Sequence, residues 1–262
     1  MTTVAPETVP APRTDLRPEP RVALVTGGAR GIGAAITTAL ARDGVHVAAG
    51  YSSNAKAAED LQEKLAAEGA SVSVHQGNVG TPEDCLRFAE QVLAHHGRID
   101  YLVNNAGITV DKTVRRMTVE DWHAVLRINL SGAFYMTKAV LDHMTERGFG
   151  RIVNISSVIG ESGAVGQANY AASKSGLFGF SKSLAQEVAR KGVTVNCVAP
   201  GYIETEMLAA IPEKVLEKLL SGVPVGRLGQ AREIARAVQF LLDDDAGYIT
   251  GSVLAVNGGL DM

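Results

Sequence analysis

One pattern limits this chain more than any other: from Arg21 onward, short apolar runs rich in β-branched residues alternate with longer segments of helical period. Strands buried on both faces read as continuous apolar runs, and strand–helix alternation is how a parallel sheet acquires helices on both sides. The runs are Val22–Thr26, Val45–Ala49, Val72–His75, Tyr101–Val103, Ile152–Ile155, Val193–Val198 and Val253–Val256. Between them Ile32–Arg42, Ala55–Glu68, Pro82–His96, Val119–Arg147, Ala168–Arg190 and Ala231–Leu242 carry apolar residues at helical spacing. The expected fold class is α/β, with a doubly wound parallel sheet of seven strands and helices on both faces.

The segment Thr26-Gly27-Gly28-Ala29-Arg30-Gly31-Ile32-Gly33 joins the first strand to the first helix. A pyrophosphate reaches a helix N-terminus only where side chains are absent, and there unpaired N–H groups and the positive end of the dipole favour an anion. Gly27, Gly31 and Gly33 meet that need, with Ile32 opening the helix between them. The strand–turn–helix setting separates a dinucleotide loop from an ordinary glycine turn, and makes the sheet a Rossmann fold. An acidic residue about 20 positions on would select NAD through the adenosine 2′-hydroxyl. Here the chain reads Tyr51-Ser52-Ser53-Asn54, with no carboxylate to repel a 2′-phosphate, while Arg30, the two serines and Lys56 are available to bind one. The expected cofactor is NADP(H); the plainer alternative for Arg30 is a solvated loop residue.

A second constellation is Ser157, Tyr170 and Lys174. Tyr170 and Lys174 are four apart and so share one helical face. A phenol titrates near ~10, and an adjacent ammonium lowers that value towards acid–base duty. A Tyr-x-x-x-Lys pair is common on helices without any catalytic role, so its weight comes from its position in the fold.

Together these motifs make the chain resemble the short-chain dehydrogenase/reductase family from about Arg21 to Met262. The resemblance is carried by the glycine loop, Asn104-Asn105-Ala106-Gly107 after the fourth strand, Asn129, Ser157, the Tyr170/Lys174 pair and Pro200-Gly201 after the sixth strand. It implies that Ser157 orients a substrate carbonyl, Tyr170 exchanges the proton, Lys174 binds the nicotinamide ribose and lowers the pKa of Tyr170, and Asn129 holds a water that relays protons. It further implies that Asn104, Asn105, Ala106 and Gly107 line the cofactor, that Ile203 and Thr205 hold the carboxamide after Pro200-Gly201, and that Val79 flanks the adenine. Asn78 stands where many relatives have Asp, so an amide replaces that carboxylate contact; the same departure resembles enzymes that make 3-hydroxybutyryl-CoA for polyhydroxyalkanoate.

Within the family, Ala106-Gly107-Ile108-Thr109, Gly150–Ser157, Gly166–Tyr170 and Gly192–Asn196 resemble the 3-oxoacyl-thioester reductases. The implied substrate is acetoacetyl-CoA or a 3-oxoacyl-acyl-carrier-protein. Gln167 would donate to the thioester and Tyr202 would join the pocket, while Ala164 and Val165 depart from the bulkier residues of acetoacetyl-CoA enzymes and leave chain length and carrier open. Residues 204–222, with Met207, Leu208, Ile211, Val215 and Leu219, would form a substrate lid; the alternative is an amphipathic surface helix. The family expectation is a homotetramer. Two other readings stay open: a relative acting on a sugar, steroid or small diketone, and a protein that senses NADP(H) without turnover.

Several classes are excluded. With 25 basic and 28 acidic residues and no Lys/Arg run, the chain has no footprint for a nucleic-acid partner. No stretch approaches the ~18 to 20 apolar residues that span a membrane. Cys85 and Cys197 form neither a disulfide framework nor a metal set, which points to a reducing cytoplasm. No metal is expected: His95-His96 complements a helix dipole, and Asp243-Asp244-Asp245 reads as a solvated turn. Residues 1–20 hold five of the nine prolines and read as a flexible leader without the apolar region of a secretory signal.

Overall fold

The computed structural model describes residues 20–204 and 219–262. Apart from Pro20, the expected leader lies outside the described residues, as do positions 205–218 of the expected lid.

Seven parallel strands form one sheet in the order β3-β2-β1-β4-β5-β6-β9. They are β1 (Val22–Val25), β2 (His46–Tyr51), β3 (Val72–Gln76), β4 (Tyr101–Asn104), β5 (Gly150–Ile155), β6 (Val193–Pro200) and β9 (Val253–Val256). The order reverses at β1, whose neighbours are β2 and β4, and ligands of such sheets bind outside the carboxyl ends at this switch point. This is the expected single-domain Rossmann fold.

Side chains alternate across each strand, so the sheet has two cores. Ala23, Val25, Val103 and Val153 face α1 (Gly31–Arg42) and α8 (Ala231–Leu242), burying Ile36, Leu40, Ile234 and Val238. Val22, Leu24, Leu102 and Ile152 face α3 (Pro82–His96), α5 (Gly132–Arg147) and α7 (Ala168–Val188), burying Val92, Met136, Met144 and Leu184. α2 (Ala55–Ala67) leans on β3 and is capped by the Asn54 side chain, which accepts from Ala57 N at 3.1 Å. Among the described residues no helix is long and apolar enough to cross a membrane.

Three local features depart from the sequence expectation. The segment Val119–Arg147 is two helices, α4 (Val119–Leu126) and α5, joined by a π-turn over Arg127–Ser131. Its cause is visible in the middle of the turn: Asn129 is held sideways on neighbouring elements, and π-turns often mark such functional insertions. A short helix α6 (Ile159–Ser162) follows β5, and β7 (Ile203–Glu204) pairs in parallel with β8 (Gly229–Gln230). These elements are too short for periodicity to reveal.

At the amino edge of the sheet, Asp100 is fully buried. Its carboxylate accepts from Val22 N at 2.9 Å and from Arg98 Nε and Nη2 at 2.8 and 2.7 Å. This staple ties β1 to the start of β4.

Candidate active site

The glycine loop closes over the end of β1 because Gly28 N donates to Gly50 O at 2.9 Å, drawing the loop onto β2. Gly27 has φ +60, a conformation side chains rarely tolerate, and a Cβ on Gly33 would collide with the Gly27 carbonyl. The first turn of α1 therefore presents bare backbone to the crevice. Thr26, not singled out as a site residue, locks this loop to the next: its Oγ1 accepts from Asn105 N and Ala106 N, both at 3.0 Å. The Asn105 amide donates to the carbonyls of Thr26 and Gly27 at 3.0 and 3.1 Å. Its signal was available in the sequence, as a hydroxyl directly before the glycines.

Asn104 corrects an expectation. It does not line the crevice: it is buried in the core, donating to Asn154 Oδ1 at 2.8 Å and Thr137 Oγ1 at 3.2 Å. Adjacent residues of an extended chain point to opposite faces, and Asn104 and Asn105 divide accordingly.

On the adenosine side, Arg30 and Ser52, Ser53 are exposed, and Tyr51 is half-buried at the end of β2. Arg30 makes no side-chain hydrogen bond at the cap of α1. Lys56 pairs with Asp60 at 3.2 Å. Asn78 is exposed; its Oδ1 accepts from Gly80 N at 2.9 Å, which leaves the amide donors to face outward. Val79 packs on the start of α5, where a Cβ on Gly132 would lie 2.9 Å from its Cγ2.

The chemical centre assembles where β5 and β6 end. Ser156 N donates to Val198 O and Val158 N to Pro200 O, each at 2.8 Å, placing Ser157 at the carboxyl edge. α7 comes alongside because Gly160 has no side chain: a Cβ there would lie 2.9 Å from the Lys174 carbonyl carbon. Ser156 Oγ then donates to Lys174 O at 2.8 Å. Ser157 lies close enough to the Tyr170 hydroxyl to act on its titration, so the two predicted groups share one site. Burial pushes the Tyr170 phenol above its ordinary value, Ser157 draws it down, and the Asp111 carboxylate raises it.

Lys174 is buried, and burial pushes its ammonium down to about 8. The Nζ lies 5.6 Å from the centroid of the Tyr170 ring and donates to Ile155 O at 2.7 Å. The expected lowering of the Tyr170 pKa by Lys174 is not found here: desolvation is the largest influence on the phenol, and Lys174 is not among the groups that shift it. An ammonium has three donors, and this one has a single acceptor among the described residues. It also borders the loop after β4: a Cβ on Gly107 would lie 3.6 Å from Lys174 Nζ and 3.4 Å from Asn129 Oδ1. Buried spare donors beside a bare backbone cradle fit the ribose diol and pyrophosphate of a dinucleotide, and Lys174, Gly107 and the glycine loop are the residues that would hold it.

Asn129 is buried in the π-turn with its amide committed. Oδ1 accepts from Ile108 N at 2.8 Å, and Nδ2 donates to Ile108 O at 3.0 Å and Ser173 Oγ at 3.1 Å. Ser173 in turn donates to Tyr170 O at 2.8 Å. The side chain therefore positions the loop and α7.

The remaining expected residues fall less centrally. Gln167 donates to Asp111 Oδ2 at 3.0 Å. Gly201 N donates to Val256 O at 3.0 Å, setting the turn after Pro200. Ile203 is buried in the core, and Tyr202 is half-buried with its carbonyl accepting from Gly229 N at 2.9 Å. Thr205 lies outside the described residues. Burial raises the thiols of Cys85 and Cys197 to about 12 and about 11, which makes both inert. Among the described residues no group of three His, Cys, Asp or Glu is placed to hold a metal.

Residues 27–261 match the family model described as enoyl-(acyl carrier protein) reductase. The chain is 53% identical over 240 residues to the acetoacetyl-CoA reductase of Shinella zoogloeoides, covering 91% of this chain and 98% of that protein. It is 48% identical over 242 residues to the acetoacetyl-CoA reductase of Cupriavidus necator, covering 92% and 98%. It is 48% identical over 244 residues to the 3-oxoacyl-[acyl-carrier-protein] reductase FabG of Escherichia coli, covering 93% and 98%.

Proposed function

Because this chain belongs to the short-chain dehydrogenase/reductase family, and so to the oxidoreductases, we propose that it reduces the 3-oxo group of an acyl thioester with NADPH. The substrate is acetoacetyl-CoA or a 3-oxoacyl-acyl-carrier-protein, and the product is the 3-hydroxyacyl thioester. One observation carries the reading: Tyr170 and Ser157 come together at the carboxyl edge of the sheet, beside the buried Lys174 with its spare donors.

When bound, the nicotinamide supplies the hydride. The protein stabilises the negative charge that grows on the substrate oxygen, and donors aimed at that oxygen favour the transition state over the ground state. Ser157 donates to it, and Tyr170 delivers its phenolic proton. A phenol held above its ordinary pKa is protonated at neutral pH, the state a proton donor needs. Lys174 anchors the ribose, and Tyr170 recovers its proton from solvent. Ser157 beside Tyr170 suits a carbonyl, the bond reduced by the acetoacetyl-CoA and FabG relatives, better than the carbon–carbon double bond in the family model's description.

NADPH is favoured by the exposed Arg30 and Ser52 at the end of β2, where no carboxylate opposes a 2′-phosphate. A homotetramer accords with the groove of about 480 Å³ between α5 and α7, lined by Phe134, Leu141 and Phe180. A cytoplasmic setting accords with two free thiols. The test is nicotinamide absorbance with acetoacetyl-CoA and acetoacetyl-carrier-protein, under NADPH and under NADH. We expect consumption of an acetoacetyl thioester and at least a tenfold preference for NADPH, roughly 1.4 kcal/mol. Turnover of neither thioester overturns the substrate, and equal rates with both nucleotides overturn the roles of Arg30 and Ser52.

A further inference from the structure

At the amino edge of the sheet, opposite the catalytic crevice, a cavity of about 280 Å³ opens between the ends of α5 and α7 and the turn Asp244–Tyr248. Its wall includes Phe149, Arg151, Gly192, Val193, Thr194 and Gly247. Arg151 and Thr194 are register partners on β5 and β6, so their side chains stand next to each other on one face of the sheet. Gly192 has φ +76, and a Cβ there would collide with the Gly148 carbonyl, so the two helix ends meet backbone to backbone. Arg151 and Ser157 are six residues apart, ~20 Å along an extended chain, which separates this cavity from the reacting groups.

Arg151 is only 5% exposed, and its guanidinium is held by neutral carbonyls alone. Nε donates to Asp243 O at 3.4 Å, Nη1 to Gly150 O at 3.1 Å and Gly192 O at 3.4 Å, and Nη2 to Asp244 O at 3.3 Å. Bonds from a charged donor to an anion run to ~2.7–2.9 Å, so these are loose. The carboxylates of the same turn serve other groups: Asp244 accepts from Arg21 Nη2 at 3.1 and 2.9 Å, and Asp243 Oδ1 accepts from Asp245 N at 2.9 Å. Burial draws the Arg151 guanidinium below its ordinary value, against the pull of Asp244. The Phe149 ring lies 4.5 Å from this guanidinium and 3.9 Å from that of Arg21, so it carries two cations. Thr194 is as deeply buried, and its hydroxyl has no hydrogen-bond partner among the described residues. A buried cation without a counterion, next to an unpaired hydroxyl in the wall of a cavity, is the donor set of an anion site.

We propose that this cavity binds a small oxyanion, a phosphate or carboxylate group, with the Arg151 guanidinium as its countercharge and the Thr194 hydroxyl as a second donor. A neutral ligand would leave the guanidinium uncompensated. The volume falls below the ~300–1,000 Å³ of pockets for drug-sized ligands, so the anion is a small one, with Phe149 and Val193 as apolar surface for any short stub behind the head group. Bound there, it ties β5 and β6 to the turn that leads into β9, and its effect falls on stability. The inference is independent of the reductase reading.

The test follows thermal unfolding of the full-length protein in potassium phosphate, in sodium butyrate and in potassium chloride, at one pH and ionic strength. Each series is run with and without NADP⁺, which separates this cavity from the glycine loop. The midpoint should rise in phosphate or butyrate relative to chloride, saturate with concentration, and do so with NADP⁺ present; the anion bound more tightly identifies the head group. Arg151→Met should weaken the apparent affinity by about tenfold or more, and Thr194→Val by about threefold. Because Thr194→Val removes an unpaired buried hydroxyl, it should be at least as stable as the wild type in chloride, and it decides the matter even where Arg151→Met does not fold. Three results overturn the proposal: no rise in either anion, a rise that grows without saturating, as the general effect of phosphate on protein hydration does, and a rise that NADP⁺ abolishes. So does a rise that either variant keeps in full.

Discussion

The two edges of the sheet both bury charge, and they treat it oppositely. At the amino edge, Asp100 is surrounded by donors: Val22 N, the Arg98 guanidinium, and Arg21 at 3.5 Å. At the carboxyl edge, Lys174 is as deeply buried but has one acceptor, Ile155 O. Saturation makes the first edge a structural staple. Incomplete saturation makes the second a place where a ligand completes the bonding, because buried polar groups gain most from any partner that arrives. Burial of a charged group therefore says little about its role until its partners are counted.

The comparison breaks most readily at the amino edge. Asp100→Ala takes one acceptor from the Arg98 guanidinium and the side-chain acceptor from the buried Val22 N–H, and removing one member of a buried pair costs about 3–5 kcal/mol of stability. Urea unfolding should show that loss while turnover per folded molecule stays at the wild-type level; an intact midpoint with impaired turnover would erase the contrast. At the carboxyl edge the signs exchange. Tyr170→Phe should lower kcat by ~10²–10³, or roughly 2.7–4 kcal/mol, with the thermal midpoint unchanged. Wild-type turnover in that variant would remove the proton donor from the reading.

Lys174 sharpens the comparison through pH. Its folded pKa of about 8 lies below the ordinary 10.5, so between those values the unfolded chain binds more protons and stability rises with pH. The full burial cost is present below pH 8. Against Lys174→Met, the wild type should gain on the order of 2–3 kcal/mol from pH 8 to 10.5, allowing for relaxation around a buried charge. Parallel stability curves for the two proteins would show that the ammonium is solvated. The smallest effect is expected at the open rim of the adenosine side. Arg30→Ala should reduce the preference for NADPH over NADH by about tenfold, or 1.4 kcal/mol, without altering stability.

Much of the site was legible because local backbone chemistry demands particular residues. Gly27 needs a positive φ, Gly33 must leave room for the Gly27 carbonyl, and Tyr170 and Lys174 share a helical face through their spacing. Other roles were not legible because they depend on what a neighbouring strand or helix presents. Asn104 and Asn105 are the same residue type side by side, and only the β4–β5 register, with Asn104 opposite Asn154, sends one into the core. Asn129 looked like part of a continuous helix, yet Ile108 and Ser173 claim its amide from two other elements.

By itself, the sequence determined the architecture and the cast of reacting groups, since periodicity, turn chemistry and helical spacing are short-range properties written along the chain. The tertiary structure decided which of those groups are satisfied. It showed that Lys174 donates to Ile155 O with no second acceptor among the described residues, that Gln167 is occupied by Asp111, and that Asn104 is claimed by Asn154 in the core. Hydrogen bonds and desolvation depend on atoms brought together from distant parts of the chain, and no local pattern counts them.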